Sequence, residues 1–235
     1  MKKLRIYNGK KYIFEFLSIF IAVIAAFALD NWNDNRNNRH AESKILSEII
    51  NGLDKDLFDV QLNIEGHKRG VNATAFFRNL IAKKPIATDS LMFHYFHLTR
   101  DFVSIQNTSG YETLQSRGLE LIQNDSLRTD IISLYEYAYK TLRKLEEEYY
   151  EMQFHENYFK EINASLAQNF QFNEDKQIVG IRTPLQLDAQ QEKLLLLYLY
   201  RIESNRNFIL VYYTEIEKTI KALREEIEEE LRENS

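Results

Sequence analysis

One uninterrupted apolar run, followed by three stretches in which apolar residues recur every three or four positions, divides the chain. The run comes first: residues 12–29 read YIFEFLSIFIAVIAAFAL, apolar from Phe16 to Leu29 except at Ser18. Eighteen helical residues rise about 27 Å, enough to cross a hydrocarbon layer of about 30 Å if both ends are anchored. Ile45, Ile49, Leu53, Leu57 and Val60 then mark one face of a helix expected over 39–83 and ended by Pro85. Between these two, NWNDNRNN (31–38) reads by itself as a loop, yet it can also carry the membrane helix onward. Asp89 caps a short helix whose face is Leu91, Tyr95, Leu98 and Phe102. A second long helix is expected from Asn124 or Asp125 to about Gln168, with Leu127, Ile131, Leu134, Ala138, Leu142, Leu145, Tyr149 and Met152 on its inner face. Residues 169–187 form an irregular connection. Asp188 and Gln191 make an approximate capping box, and a last helix runs to about Arg232 with a near-heptad, coiled-coil-like seam of Ile216, Ile220, Leu223, Ile227 and Leu231. The expected fold is all-α: an N-terminal transmembrane helix followed by an elongated antiparallel bundle of three long helices plus short ones. Its parts are a basic tail (1–11), the span (12–30) and a bundle (31–235).

The flanks of the run support a membrane reading. Tyr7 and Tyr12 stand at one end and Trp32 at the other, where amphipathic rings favour the headgroup layer. Glu15 lies one turn inside the boundary and can still reach water. Lys2, Lys3, Arg5, Lys10 and Lys11 precede the run, whereas Arg36 and Arg39 after it are offset by Asp30 and Asp34. The positive-inside rule then puts the N-terminus in the cytoplasm and the bundle outside it, on the periplasmic side of an inner membrane. A cleaved signal peptide is the competing reading, because Ala26-Phe27-Ala28 fits a small-x-small site; the run is long for a signal core and lacks a polar stretch before that site. Ser18, Ala22 and Ala26 are spaced by four and stack on one face that would let another helix approach closely in lipid.

Composition narrows the function classes. With 7 Gly and 2 Pro in 235 residues, the turns of an all-β fold have no residues to make them. The absence of cysteine excludes disulfides, thiolate metal sites and a thiol nucleophile. A formal charge of −5 argues against a nucleic-acid partner. Tyrosine is the unusual residue, with 14 copies, many on the expected helices, where core packing with the hydroxyl at the rim competes with a ligand pocket.

The chain carries no phosphate loop, dinucleotide fingerprint or nucleophile elbow. His94, His97 and Asp101 share one side of the short helix and are the best metal candidate, but no further ligand announces itself, so no metal or other cofactor is expected. Glu146, Glu147, Glu148 and Glu151 read as a solvated acidic face, as does the run 225–230. Arg117 and Arg128 flank Gly118 and are expected to pair with carboxylates. The segment around them, 109–128, reads as a structural hinge: Tyr111 and Leu114 bury one helical turn, Gly118 ends it, and Asn124 restarts the chain as helix.

Two stretches carry a family resemblance. One is the exit from the apolar run, Ala28-Leu29-Asp30-Asn31-Trp32-Asn33-Asp34-Asn35-Arg36. The other is Gly110-Tyr111-Glu112-Thr113-Leu114-Gln115-Ser116, followed by residues 119–128. Together they resemble an uncharacterised family of small single-span membrane proteins common in Bacteroidota, defined by a domain of unknown function. Members show an Asn-Asn-Trp-Asn-Glu-like exit and a Tyr-x-x-Leu-(Lys/Gln)-Ser segment. Here Phe14-Glu15-Phe16 keeps only the Glu of the family's Gly-Glu-Ile-like start, and Asp30 and Asp34 depart from the exit pattern. The resemblance implies a retained anchor and supplies no activity or catalytic residue. The expectation is a non-enzymatic, membrane-anchored scaffold or accessory subunit that meets lipid and a protein partner or a second copy of itself. The alternative is a ligand-sensing domain that signals through a partner.

Overall fold

The computed structural model describes residues 9–233. Lys2, Lys3, Arg5 and Tyr7 of the basic tail lie outside the described residues. The chain is mostly helical. Helix α1 (Gly9–Ile81) is a single helix of 73 residues. The Asn-rich stretch is therefore helical, and the apolar run and the first bundle helix are one rod. Two short helices follow, α2 (Leu91–Leu98) and α3 (Ser109–Arg117), joined by an extended strap, residues 99–108. Both helices pack on α1.

The second long helix expected over 124–168 is broken into pieces. α4 (Asp125–Ile132) runs through a π-helical stretch (Ser133–Ala138) into α5 (Tyr139–Glu147); the chain then breaks, with one 3-10 turn (Tyr150–Met152), and restarts through a second π-helical stretch (His155–Phe159) into α6 (Lys160–Leu166). The break follows from burial. Met152 and Phe154 are both in the core, and two residues apart they cannot share one helical face. Asp101 fastens the restart by accepting the amides of Phe154 (2.6 Å) and His155 (3.2 Å). The connection at 169–187 holds a small antiparallel hairpin, β1 (Phe170–Phe172) with β2 (Ile178–Ile181).

Helix α7 (Ala189–Glu233) returns along α1. Arg224 pairs with Asp54, Gln61 bonds Glu217 and Arg78 bonds Glu203, so the two helices are antiparallel. The capping box at the start of α7 is reciprocal: the Gln191 amide donates to Asp188 Oδ1 (2.8 Å) and the Asp188 amide to Gln191 Oε1 (3.0 Å). Along α7, positions 195, 199, 202, 206, 209, 213, 216, 220, 223 and 227 are all buried, alternating by four and three. On α1 the same alternation links 42, 46, 49, 53, 56, 60, 63, 67, 70, 74 and 77, again all buried. Strict four–three spacing is the heptad seam that keeps two long helices in register along their length. Leu and Ile fill most slots on α7, but α1 places Glu42, Asp56, Asn63, His67, Gly70 and Thr74 in the seam, and α7 places Arg206 there.

Candidate functional site

The polar slots of the seam gather the groups with distinctive chemistry. Arg206 is 0% exposed, yet it meets no carboxylate at ion-pair distance among the described residues. Its Nη2 donates to the carbonyl oxygens of His97 (3.2 Å), Leu98 (3.1 Å) and Arg100 (2.8 Å), where α2 ends. A cation there meets the negative end of the helix dipole and satisfies carbonyls that have no intrahelical partner. The faces of Phe154 (4.1 Å) and Phe102 (5.5 Å) cover the guanidinium. Nη1 contacts His67 Nδ1 at 3.1 Å, and since arginine can only donate, Nδ1 accepts and the ring proton sits on Nε2. Burial, with the Arg206 charge beside it, holds His67 neutral by lowering its pKa to about 3. Burial also lowers Arg206 to about 9, which leaves it charged at neutral pH. Gly70 makes room for this node, because a Cβ there would overlap the Arg206 guanidinium; a Cβ on Gly66 would enter the Phe102 ring. These glycines lie inside an unbroken helix as sites of close approach.

Nearer the N-terminal end of α1, the polarity reverses. Here carboxylates receive the amides of the strap. Asp56 Oδ1 accepts the Asn107 amide (2.8 Å) and side chain (2.6 Å), and Oδ2 accepts the Tyr139 hydroxyl (2.7 Å). Asp59 Oδ2 accepts Ser104 Oγ (2.8 Å) and the Ile105 amide (3.0 Å). Glu146 on α5, 6% exposed, accepts the Ser104 amide (3.3 Å) and the Tyr213 hydroxyl from α7. Glu42 does the same for the Gln123 amide (2.8 Å) in the turn before α4. Burial raises the pKa of Asp56 and Glu42 against these hydrogen bonds, and lifts Glu146 to about 7. The strap has no ladder partner for its backbone, so buried side chains supply the bonds that a buried polar backbone requires. Glu146 thus departs from the solvated acidic face expected for 146–151.

The other sequence-derived residues are spread along the molecule. Tyr12, Glu15 and Trp32 are exposed on the bare part of α1, and the Arg36 guanidinium lies 5.8 Å from the Trp32 ring. Ser18, Ala22 and Ala26 are also exposed, with Ser18 Oγ donating to the Glu15 carbonyl (2.8 Å). In the 109–128 segment Tyr111 and Leu114 are buried, and Tyr111 stacks on Tyr135 with ring centroids 4.5 Å apart. Gly118 follows α3 with φ +100°, and Asn124 caps α4 by accepting the amides of Ser126 (3.1 Å) and Leu127 (3.2 Å). Arg128 donates to the Ile122 carbonyl (2.8 Å) and pairs with Asp125 and Glu120. His94 stacks on Phe76, His97 Nδ1 bonds the Phe93 carbonyl (2.8 Å) and Asp101 is the cap described above. Among the described residues no cluster of three or more His, Asp or Glu is placed to hold a metal ion.

The seam residues Arg206, His67 and Asp56, and Asp59 beside the seam, escaped the sequence reading. Their signal was present: extending the four–three spacing of 216–227 back along α7 lands on a lone arginine among leucines and isoleucines. A search for apolar periodicity skips such slots.

The fold therefore defines a mostly helical protein with one N-terminal helix long and apolar enough to cross a membrane, none of whose apolar window is buried in the protein. The chain belongs to a family of unknown function, DUF6090, whose model matches residues 15–179. That match takes in most of α1, the strap and the 109–128 segment, and ends before α7. No curated protein and no solved structure matches the chain.

Proposed function

We propose that this is a single-span membrane protein, of the small Bacteroidota type that its two motifs resemble, acting as a non-enzymatic scaffold or accessory subunit. In this reading residues 1–11 are a cytoplasmic tail, 12–30 span the inner membrane, and 31–235 stand in the periplasm. The five basic residues before the span support that orientation. From Tyr12 to Trp32 the helix rises about 30 Å, the thickness of a hydrocarbon core, which supports a reading with one ring at each interface. The observation that carries the proposal is the continuity of α1: the unburied apolar segment and the seam of the bundle belong to one helix. A rigid rod of this kind holds the bundle at a set height, which suits a part that positions a partner. The partners proposed are lipid, through the span, and a protein or second copy, through the exposed sides of α1.

The sensing alternative has its own support in a cleft of about 240 Å³ between α3 and the π-helical and α5 segments, floored by Tyr111, Tyr135 and Tyr139 and rimmed by Glu112, Lys140 and Arg143. Native-membrane purification in mild detergent separates the two: a stable protein partner supports the scaffold, and a retained small molecule supports the sensor. A reporter active only outside the cytoplasm, fused at the C-terminus, should be active; activity only in an N-terminal fusion would reverse the orientation.

A further inference from the structure

Helix α2, with the sequence LMFHYFHL, carries no Asp, Glu, Lys or Arg, and it leaves Met92, Phe93 and Phe96 half-exposed. Its outer side forms one wall of a cleft of about 390 Å³, the π-helical stretch His155–Phe159 forms another, and the start of the strap lies between them in sequence and lines the cleft as well. The apolar lining is Met92, Tyr95, Phe96, His155 and Phe159, all rings except the methionine. The walls are fixed from behind. Tyr95 donates to Asn163 on α6, and Asp101 takes the amides of Phe154 and His155. His155 stacks on Phe159 with ring centroids 4.3 Å apart. The volume falls within the range of small-molecule sites, about 300–1,000 Å³.

One charge in this lining has no counterpart. Asp101, its carboxylate, is engaged by two amides, and the buried charge of Arg206 offsets its own from the interior. Arg100 lies with its guanidinium over the Phe96 ring, 4.5 Å from the centroid, and meets no carboxylate at ion-pair distance among the described residues. The neighbouring Arg69 shows the balanced arrangement: it stands over Phe93 at 5.7 Å and pairs with Glu65 at 3.0 Å. Stacking on a ring orients a guanidinium and leaves its edge N–H groups to take a carboxylate through two parallel bonds. Ring walls favour a planar body, which gains offset and edge-to-face contacts that an acyl chain does not.

We propose that this cleft binds a small aromatic monocarboxylate, its ring against Phe96 and Phe159 and its carboxylate on Arg100. The site is separate from the tyrosine cleft beside α3. It holds whether the protein acts as a scaffold or as a sensor, and in either membrane orientation.

Equilibrium dialysis of 2-naphthoate against the full chain in lipid nanodiscs, with empty nanodiscs as the blank, tests it. Saturable binding at one site per chain is expected. Arg100→Gln changes an exposed side chain and keeps the carbonyl that Arg206 uses, so the melting temperature should hold while affinity falls roughly tenfold or more, the worth of a charge-assisted pair. Arg100→Lys keeps the charge without the fork and should fall between the two. Arg69→Gln, and Arg143→Gln at the tyrosine cleft, should bind as the wild type does. In competition on the wild type, which needs no variant to fold, 2-naphthylmethanol lacks the charge and octanoate lacks the ring, and both should displace the probe poorly. Absence of saturable binding would overturn the site, as would equal affinity in Arg100→Gln or equal competition by the neutral alcohol. Loss of binding in Arg143→Gln with Arg100→Gln unaffected would move the ligand to the tyrosine cleft, and competition by octanoate as strong as by 2-naphthoate itself would overturn the aromatic assignment.

Discussion

The two halves of α1 obey different rules although they are one helix. From Tyr12 to His40 every side chain is exposed; from Glu42 to Phe77 each slot of a four–three seam is buried. In the first half nothing but the backbone ladder is visible as a reason for helix. Residues 30–38 hold seven Asn or Asp, each poorer than Ala by about 0.7 kcal/mol or slightly less in a helix. They remain helical because propagation from an already formed helix on both sides is far easier than nucleation. In the second half the seam contains residues that a core normally excludes: Glu42, Asp56 and His67 are matched by groups from other elements, while Asn63 and Thr74 bond back onto α1. Local propensity is therefore a poor guide to either half. Continuity decides one and tertiary bonding the other.

This contrast can be broken by substitution. The largest effect is expected at Gly70. Gly70→Ala is a helix-favouring change by propensity, yet its Cβ would displace Arg206 from the α2 carbonyls and strand a buried charge. The full chain in micelles should lose about 3–5 kcal/mol in denaturant unfolding. A neutral result would show that the guanidinium can be reseated at no cost, and the close-approach account of the glycine would fall. Next comes Leu114→Ala, at a fully buried position in α3 beside the seam half, which should cost about 2–5 kcal/mol. Gly118→Ala is smaller. A Cβ there meets nothing within 4 Å, so only the φ of +100° is at stake, at about 1 kcal/mol or somewhat more, read as a lowered melting temperature. The smallest change, and the one of opposite sign, is Asn33→Ala in the bare half. It should leave unfolding unchanged or raise stability by about 0.5 kcal/mol in the same assay. A marked loss there would mean that Asn33 bonds a partner that the single chain does not contain.

Arg128 sharpens the same point from outside α1. Its place in the sequence, flanking Gly118 beside Arg117, suggests no more than a cation paired with carboxylates. Its bond to the Ile122 carbonyl and its half-buried position make Arg128→Ala a packing change, whereas Arg117 is exposed.

Much of the architecture was legible in the order of residues. The apolar run, the helical periods, the reciprocal capping box at Asp188 and Gln191, and the N-cap at Asn124 are local properties, set by neighbours within four positions of one another. The coarse fold class follows from them, as does the membrane-crossing capacity of the first helix. What the sequence could not decide involves partners far apart in the chain. Met152 and Phe154 break the second long helix because both find core space. Gly66 and Gly70 are needed because Phe102 and Arg206 arrive from elsewhere. Glu146 leaves the acidic surface because Ser104 and Tyr213 wait in the interior. In each case a local rule would be obeyed if the residue were exposed, and burial overrides it, because a buried polar group must find a partner and a buried side chain must find room. Only the tertiary structure says which residues are buried together.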